Sequence, residues 1–342
     1  MDFFSNLPVV ILVVALIAFL VFTGIRLGLP FLVRRVAGLI FVLFGASFIT
    51  FWLAYFAPTN AVDNLLGDKW TPQKAAVLYH HYGLDQPALV QYWNFLNRLL
   101  HFDLGESWLE RGRSVWSIIS LQLPASILLG LSAVILALLV GISAGLIAAL
   151  RANSRYDTAI QGASLFFFAL PTFVLIPFYQ VLMIILYNND IPHLPLSSTE
   201  FGLSHPDQMI APILIFAVVQ IAFWIRITRT STLEVLRQDY VRTAKAKGLS
   251  QRAVVWRHTF RNAMIPLVTA IGPAIALIVN GAFITERIFN INGIGFTTLL
   301  AIGQNNFPVL EGTVMLLAVS VAIMNIVTDV AYGIVDPRIK SV

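Results

Sequence analysis

Ile127-Leu-Leu-Gly-Leu-Ser-Ala-Val-Ile-Leu-Ala-Leu-Leu-Val-Gly-Ile-Ser-Ala-Gly-Leu-Ile-Ala-Ala-Leu150 decides the fold. No charged side chain interrupts it, and it exceeds the about 20 mostly apolar residues that a helix needs to cross a bilayer core. It also lacks the alternation, over segments of about 10 residues, that marks a membrane β-barrel. The rest of the chain agrees: of 342 residues, 58% are apolar and only 11% are charged. Soluble domains carry about 25% charged residues, so a cytosolic enzyme and a disordered chain are both excluded. The absence of cysteine removes disulfide scaffolds, thiolate metal sites and cysteine nucleophiles.

Outward from this segment, further apolar stretches occur at Leu7–Phe22, Val36–Ala57, Thr158–Tyr187, Met209–Ile225, Ala263–Ile284 and Gly312–Val335. The first is short, and its flank Met1–Asn6 carries no Lys or Arg, so it reads as a retained extra helix rather than a secretory signal. The fold class is therefore an all-α polytopic membrane protein: an extra N-terminal helix within residues 1–30, then six core helices within 31–342. Most of the 22 lysines and arginines fall in 23–35, 151–157, 226–262 and 336–342. The positive-inside rule then places the N-terminus outside and the C-terminus in the cytoplasm. Residues 58–122 become an outside region expected to hold several short helices, and 226–262 a basic inside loop.

That loop carries more design than an anchor on acidic lipid requires. Ser231-Thr-Leu-Glu234 has capping-box spacing and predicts a helix start. Leu233, Leu236, Tyr240 and Ala244 recur at three and four as an apolar stripe, while Arg237, Arg242, Lys245 and Lys247 fill much of the rest. Gly248 predicts the helix end, and Ser250 the start of a second helix running to Asn262. Two short helices with a glycine corner suit a rigid element that docks into a partner.

The run Tyr240-Val-Arg-Thr-Ala-Lys-Ala-Lys-Gly248, with His258 and Arg261-Asn-Ala-Met-Ile-Pro266, closely resembles the EAA-type loop of ABC importer permeases of the dipeptide, oligopeptide and nickel group. Gly83-Leu-Asp-Gln-Pro87, Asp103-Leu-Gly105, Leu123-Pro-Ala125, Glu286-Arg-Ile-Phe-Asn-Ile-Asn-Gly-Ile-Gly295 and Asp336-Pro-Arg-Ile339 resemble other signatures of that group, so the likeness spans roughly 31–342. Arg242 and Thr243 stand where the broader pattern has Glu and Ala. The resemblance implies the type I importer permease fold, a second permease subunit that is usually a distinct homologue, two ATP-binding subunits and an extracytoplasmic binding protein. It implies a coupling helix whose docking surface holds Tyr240, Arg242, Thr243, Ala244, Lys245 and Gly248. Peptide is the cargo it implies first, with nickel or another small solute as the alternative. The chain has no G-x-x-x-x-G-K-[ST] phosphate loop, so ATP and magnesium are expected on the partner ATPases and no cofactor on this chain. Lipid surrounds the bundle in the cell membrane, and no nucleic-acid partner is expected.

Other candidates weaken on inspection. Gly141-Ile-Ser-Ala-Gly145 fits the serine-nucleophile pattern, but that motif needs a strand-to-helix turn. Within an apolar run it reads instead as a small-residue face for close helix packing. The histidines are scattered, with His80 and His81 adjacent and so pointing apart on a helix. Gln161, Gln180, Gln220, Asn280 and Asn325 are candidates to line a pathway or to pin helices together. Asp329 is the one acid expected within a span, with Arg338 as its ion-pair partner. A seven-helix receptor and a secondary transporter compete with the importer. No lysine falls in a span to hold retinal, and neither the internal repeats nor the charged midplane residues of secondary transporters are evident.

Overall fold

The computed structural model describes residues 29–57, 61–66, 70–110, 112–280 and 283–335. The predicted helix at 7–22 and Arg338 lie outside them. The first described helix, α1 (Leu29–Tyr55), matches the predicted span at Val36–Ala57 with an earlier start. Three short helices follow: α2 (Ala61–Leu66), α3 (Pro72–His81) and α4 (Ala88–Leu100). Thr71 starts α3 by accepting the Lys74 N–H, and Pro72 occupies the first turn, where no N–H is needed.

The stretch quoted first forms part of α5 (Val115–Leu150), which begins well before the apolar run. Ser114 caps it by accepting the Ser117 N–H, and the polar turn Arg151–Ser154 ends it. The predicted span Thr158–Tyr187 is two helices, α6 (Arg155–Ala169) and α7 (Thr172–Asn188), set at 99° to each other. Pro171 is the reason: it biases the preceding residue away from helical backbone, and Leu170 is extended with ψ 117°. After an irregular loop, α8 (Pro206–Leu236) runs without interruption.

A short helix α9 (Asp239–Ala246) and a turn α10 (Gln251–Ala253) follow, then a π-helical turn at Val254–Phe260 that passes straight into α11 (Arg261–Asn280). Ile284, assigned by sequence to that last span, belongs instead to α12 (Phe283–Phe289). The described chain closes with α13 (Ile294–Gly303) and α14 (Phe307–Val335).

Of the described helices, α1 from Val33, α5, α8 and α14 to Ile326 are long and apolar enough to cross a membrane, and the bent pair α6–α7 is so if taken as one span. The most extensive packing is α5 against α8. Glycines make it possible. A Cβ on Gly141 would fall 2.4 Å from Trp224 Cβ, and one on Gly145 would fall 2.6 Å from the Ile225 carbonyl oxygen. The Gly-x-x-x-Gly reading as a packing face is therefore the correct one. The register, 141 to 221–225 and 145 to 225–228, makes the two helices parallel. Leu150 and Leu236 thus lie at one end of the bundle, with α9 and the α6 start. Trp224, Ala137 and Leu267 are buried together where α5, α8 and α11 meet.

At the opposite end, Val115, Ile119, Ile294, Ala301 and Val309 form a second core. Asn306 fastens the post-α4 segment there, accepting from the Trp108 N–H at 3.2 Å and donating to Ser107 Oγ at 2.8 Å. Large apolar side chains such as Phe41, Leu53, Leu139, Leu165 and Phe178 remain exposed around the bundle, the outward face expected where lipid rather than water is the solvent.

Candidate functional site: the loop corner and its anchorage

The loop corner differs from its expected form in several respects. Ser231-Thr-Leu-Glu234 starts no helix; it lies within α8, with Ser231 and Thr232 buried. The apolar packing of α8 continues past Ile225, so the helix ends only at Leu236, and α9 starts after extended Gln238. Within α9, Val241 and Ala244 turn inward onto Val254, backed by Val235 and Leu236. Ala244, expected on a docking surface, is only 6% exposed. Positions three apart share a face, so the same period that buries 241 and 244 sends Tyr240, Arg242, Thr243, Lys245 and Lys247 outward.

Gly248 closes α9 with both hydrogen bonds of a Schellman end: Leu249 N–H to the Ala244 carbonyl at 3.4 Å and Gly248 N–H to the Lys245 carbonyl at 3.0 Å. Its φ of +78° is the left-handed geometry that glycine adopts freely. Ser250 then caps the next turn, accepting the Ala253 N–H at 3.3 Å. Tyr240 is steadied from across the corner, its hydroxyl accepting from Asn262 Nδ2 at 2.9 Å. The predicted second helix thus exists, but as the leading turns of α11 rather than a separate piece. A π turn is uncommon and concentrates at functional positions.

Beside the corner lies an ion pair whose carboxylate is buried and whose guanidinium is partly exposed; no sequence motif pointed to it. Arg229 of α8 donates through Nε and Nη2 to the two Asp157 carboxylate oxygens at 2.7 and 2.8 Å. Asp157 also accepts the Asn153 N–H at 2.9 Å, and its own N–H reaches Ser154 Oγ at 3.4 Å. A fork-to-fork pair fixes direction as well as distance, so it locks the start of α6 to α8 near the corner.

At the far end, the Glu286–Gly295 signature acquires a physical meaning. Glu286 is buried at 1% exposure. Ser126 Oγ donates to Glu286 Oε1 at 2.7 Å and accepts the Ile294 N–H at 2.8 Å; the Phe296 N–H donates to Oε2 at 3.0 Å. The carboxylate caps the α13 N-terminus, where negative charge is favoured. Gly293 and Gly295 make room for it: a Cβ on Gly293 would sit 2.4 Å from Oε2, and one on Gly295 would sit 3.1 Å from it. The signal was present in the sequence as an acid followed by two closely spaced glycines.

The polar pathway candidates do not converge. Gln180 Nε2 donates to the Leu196 carbonyl at 3.3 Å, and Gln220 Nε2 to the Phe216 carbonyl of its own helix at 3.3 Å. Gln161 is half-buried and Asn325 exposed; Asn325 lies by Arg34, Arg35 and Gly38 in a cavity of 180 Å³. The side chains of Asn280 and Asp329 fall outside the described residues. His80 Nδ1 lies 2.9 Å from Asp85, and that hydrogen bond holds the Asp85 carboxyl below its usual range.

The chain matches the sequence profile of the binding-protein-dependent transport system inner membrane component over residues 141–341, and that of the corresponding N-terminal membrane component over 28–130. The chain belongs to this family. It is 34% identical over 337 residues to the di/tripeptide transport system permease protein DppB of Pseudomonas aeruginosa (strain UCBPP-PA14), covering 91% of this chain and 99% of that one. It is 35% identical over 292 residues to the dipeptide transport system permease protein DppB of Bacillus subtilis (strain 168), covering 85% and 92%. With the DppB of Escherichia coli (strain K12) it shares 32% identity over 340 residues, covering 91% and 99%. The permease thus matches these relatives along nearly their whole length, and both the loop corner and the Glu286 cap lie inside the 141–341 match.

Proposed function

We propose that this permease passes short peptides through a cell membrane, driven at the α9 corner by separate ATP-hydrolysing subunits. The observation that carries the coupling half is the corner itself. Tyr240, Arg242, Thr243 and Lys245 project from a helix whose inner face, Val241 and Ala244, is buried against Val254. A polar face on a fixed base is what a docking element needs. It transmits a push only if its partner grips it differently in two states, and ATP binding and release by the partner supplies those states. The peptide half is supported by the names of the relatives. The basic residues at this end support a cytoplasmic position for α9, with α2–α4 and the Glu286 cap at the outer end. A second permease subunit and a binding protein on the outer side complete the assembly.

The test exploits the absence of cysteine in the chain. Thr243→Cys introduces the only thiol of this chain. In membranes holding the assembled transporter, a short bifunctional reagent at that thiol should capture an ATPase subunit, and ATP should change the yield. Capture of lipid or of this chain alone, with ATPase present in the same membranes, would refute the docking role. Uptake of a labelled dipeptide by the same assembly in proteoliposomes tests the cargo separately.

A further inference from the structure

A cleft of 660 Å³ opens at the end opposite α9, between α1, α3, α4, the segment after α4 and the start of α14. Glu311, in the second turn of α14, lines it and is 9% exposed. It is the one ionisable group of the lining that is buried. Among the described residues its carboxyl makes no hydrogen bond and no ion pair. Arg98 of α4 is exposed in the same cleft; its field reaches Glu311, yet the two do not meet as a pair. Along another wall, Tyr82, Trp108 and Phe307 form a chain of rings with centroids 5.2 and 5.7 Å apart.

Each feature asks for something complementary. A mostly buried carboxyl with no donor from the protein keeps its acceptor capacity for a donor that enters the cleft. Aromatic faces beside it attract cations and apolar side chains. An exposed guanidinium nearby suits a carboxylate. The volume lies within the roughly 300–1,000 Å³ of small-molecule sites. A molecule with an ammonium group at one end, a carboxylate at the other and side chains between them satisfies all three walls.

We propose that this cleft binds a short zwitterionic peptide on the permease itself: its α-ammonium on Glu311, its α-carboxylate towards Arg98, and its side chains along Tyr82, Trp108 and Phe307. The site deepens the peptide reading of the cargo and rests on it. It would be an outer stop at which the permease holds what it is about to pass.

The experiment is equilibrium binding of L-alanyl-L-phenylalanine to the purified full-length permease in lipid nanodiscs, followed by calorimetry. N-acetylated and C-amidated forms of the dipeptide, free phenylalanine and potassium chloride serve as comparison ligands. The free dipeptide is expected to bind roughly ten- to a hundredfold more tightly than the acetylated form, the span for a lost hydrogen bond to a charged group. Glu311→Gln should abolish that preference. Arg98→Gln, at an exposed position, should abolish the preference for free over amidated dipeptide, and this arm stands even if Glu311→Gln fails to fold. Equal binding of free, acetylated and amidated dipeptide would overturn the proposal, as would binding of potassium alone or preferences that survive both substitutions. Binding of phenylalanine as tight as that of the dipeptide would overturn the peptide assignment. Dipeptide uptake by the assembled transporter is measured in parallel: uptake without these preferences refutes the cleft and leaves the cargo reading standing, whereas no uptake refutes the cargo reading.

Discussion

Replacing Gly248 by asparagine, alanine or valine changes the backbone strain at the α9 corner and little else within this chain. The residue has φ +78°, and a Cβ built on it meets nothing within 4 Å, so no steric clash confuses the comparison. An L-residue in the left-handed region costs roughly 1–2 kcal/mol. Asparagine visits that region most readily, and a β-branched residue is a genuine outlier there. The corner should therefore lose a few tenths of a kcal/mol with Asn, about 1 with Ala and about 2 with Val. At 1.36 kcal/mol per factor of ten, the last two shift the balance between formed and opened corner by roughly five- and thirtyfold. Proteoliposomes holding the assembled transporter provide the assay, as peptide taken up per ATP hydrolysed. The expected order is Gly, Asn, Ala, Val, with membrane insertion unchanged across the series. Val equal to Gly would show that the corner carries no coupling. Asn as harmful as Val would show that bulk rather than strain decides, and either result refutes the reasoning.

Further substitutions probe the frame that carries the corner. Gly145→Val places a side chain 2.6 Å from the Ile225 carbonyl oxygen and should cost about 1–3 kcal/mol or more from overpacking; it is read as a lowered Tm of the detergent-solubilised permease. Gly38→Ala, with nothing within 4 Å, is the control that should not lower Tm, since alanine suits a helix interior better than glycine. Asp157→Asn and Arg229→Gln should each cost about 1.5–3 kcal/mol, the range for hydrogen bonds to charged groups. The double variant should cost clearly less than the sum; additivity in a double-mutant cycle of Tm values would deny the pair any role. Glu286→Gln leaves one acceptor oxygen for two donors, Ser126 Oγ and the Phe296 N–H. It should destabilise by about 1–3 kcal/mol, while Ser126→Ala in that background adds little; full additivity would mean the two act separately.

The spans at α1, α5, α8 and α14 were legible because hydrocarbon solvent writes a long signal into sequence, and Gly248 because few residues other than glycine end a helix in that way. Helix ends signalled by polar side chains were less so. Ser231–Glu234 and Ser154–Asp157 share one spacing. Only the second is a start, because the chain has already turned there, with Asn153 at φ +64°, whereas at Ser231 the apolar packing of α8 still favours continuing. Spacing alone cannot distinguish the two, since the outcome depends on what the preceding turn packs against. Arg229 and Asp157 escaped for a related reason: they are 72 positions apart, and each read singly looks like an ordinary charge at a membrane boundary. Ala244 was misplaced because a small residue suits both a close docking surface and an inward packing position, and only the phase set by Val241 against Val254 chooses between them.

The continuity of α8 into the corner changes how a push at α9 must travel. Had a helix begun at Ser231, a flexible joint would have separated the span from the docking element. Instead only Arg237 and Gln238 intervene between α8 and α9. Beyond Gly248 and Ser250, the turns that start at Gln251 run through the π segment into α11 without a break. The corner is thus held between two long helices, and its buried face, Val241 and Ala244, rests on residues from both sides, Val235 and Val254. Because packed interiors resist deformation, displacing α9 must carry the neighbouring ends of α8 and α11 with it. Further along, α8 is seated on α5 through Gly141 and Gly145, where no side chain is free to give way, and it is pinned to α6 by Arg229 and Asp157. Regular helix is interrupted elsewhere: at the 99° break beside Pro171 and at the π turn itself. If α9 docks as proposed, a push at the corner is expected to move α5, α6 and α8 together and to bend at the Pro171 break and at the π turn.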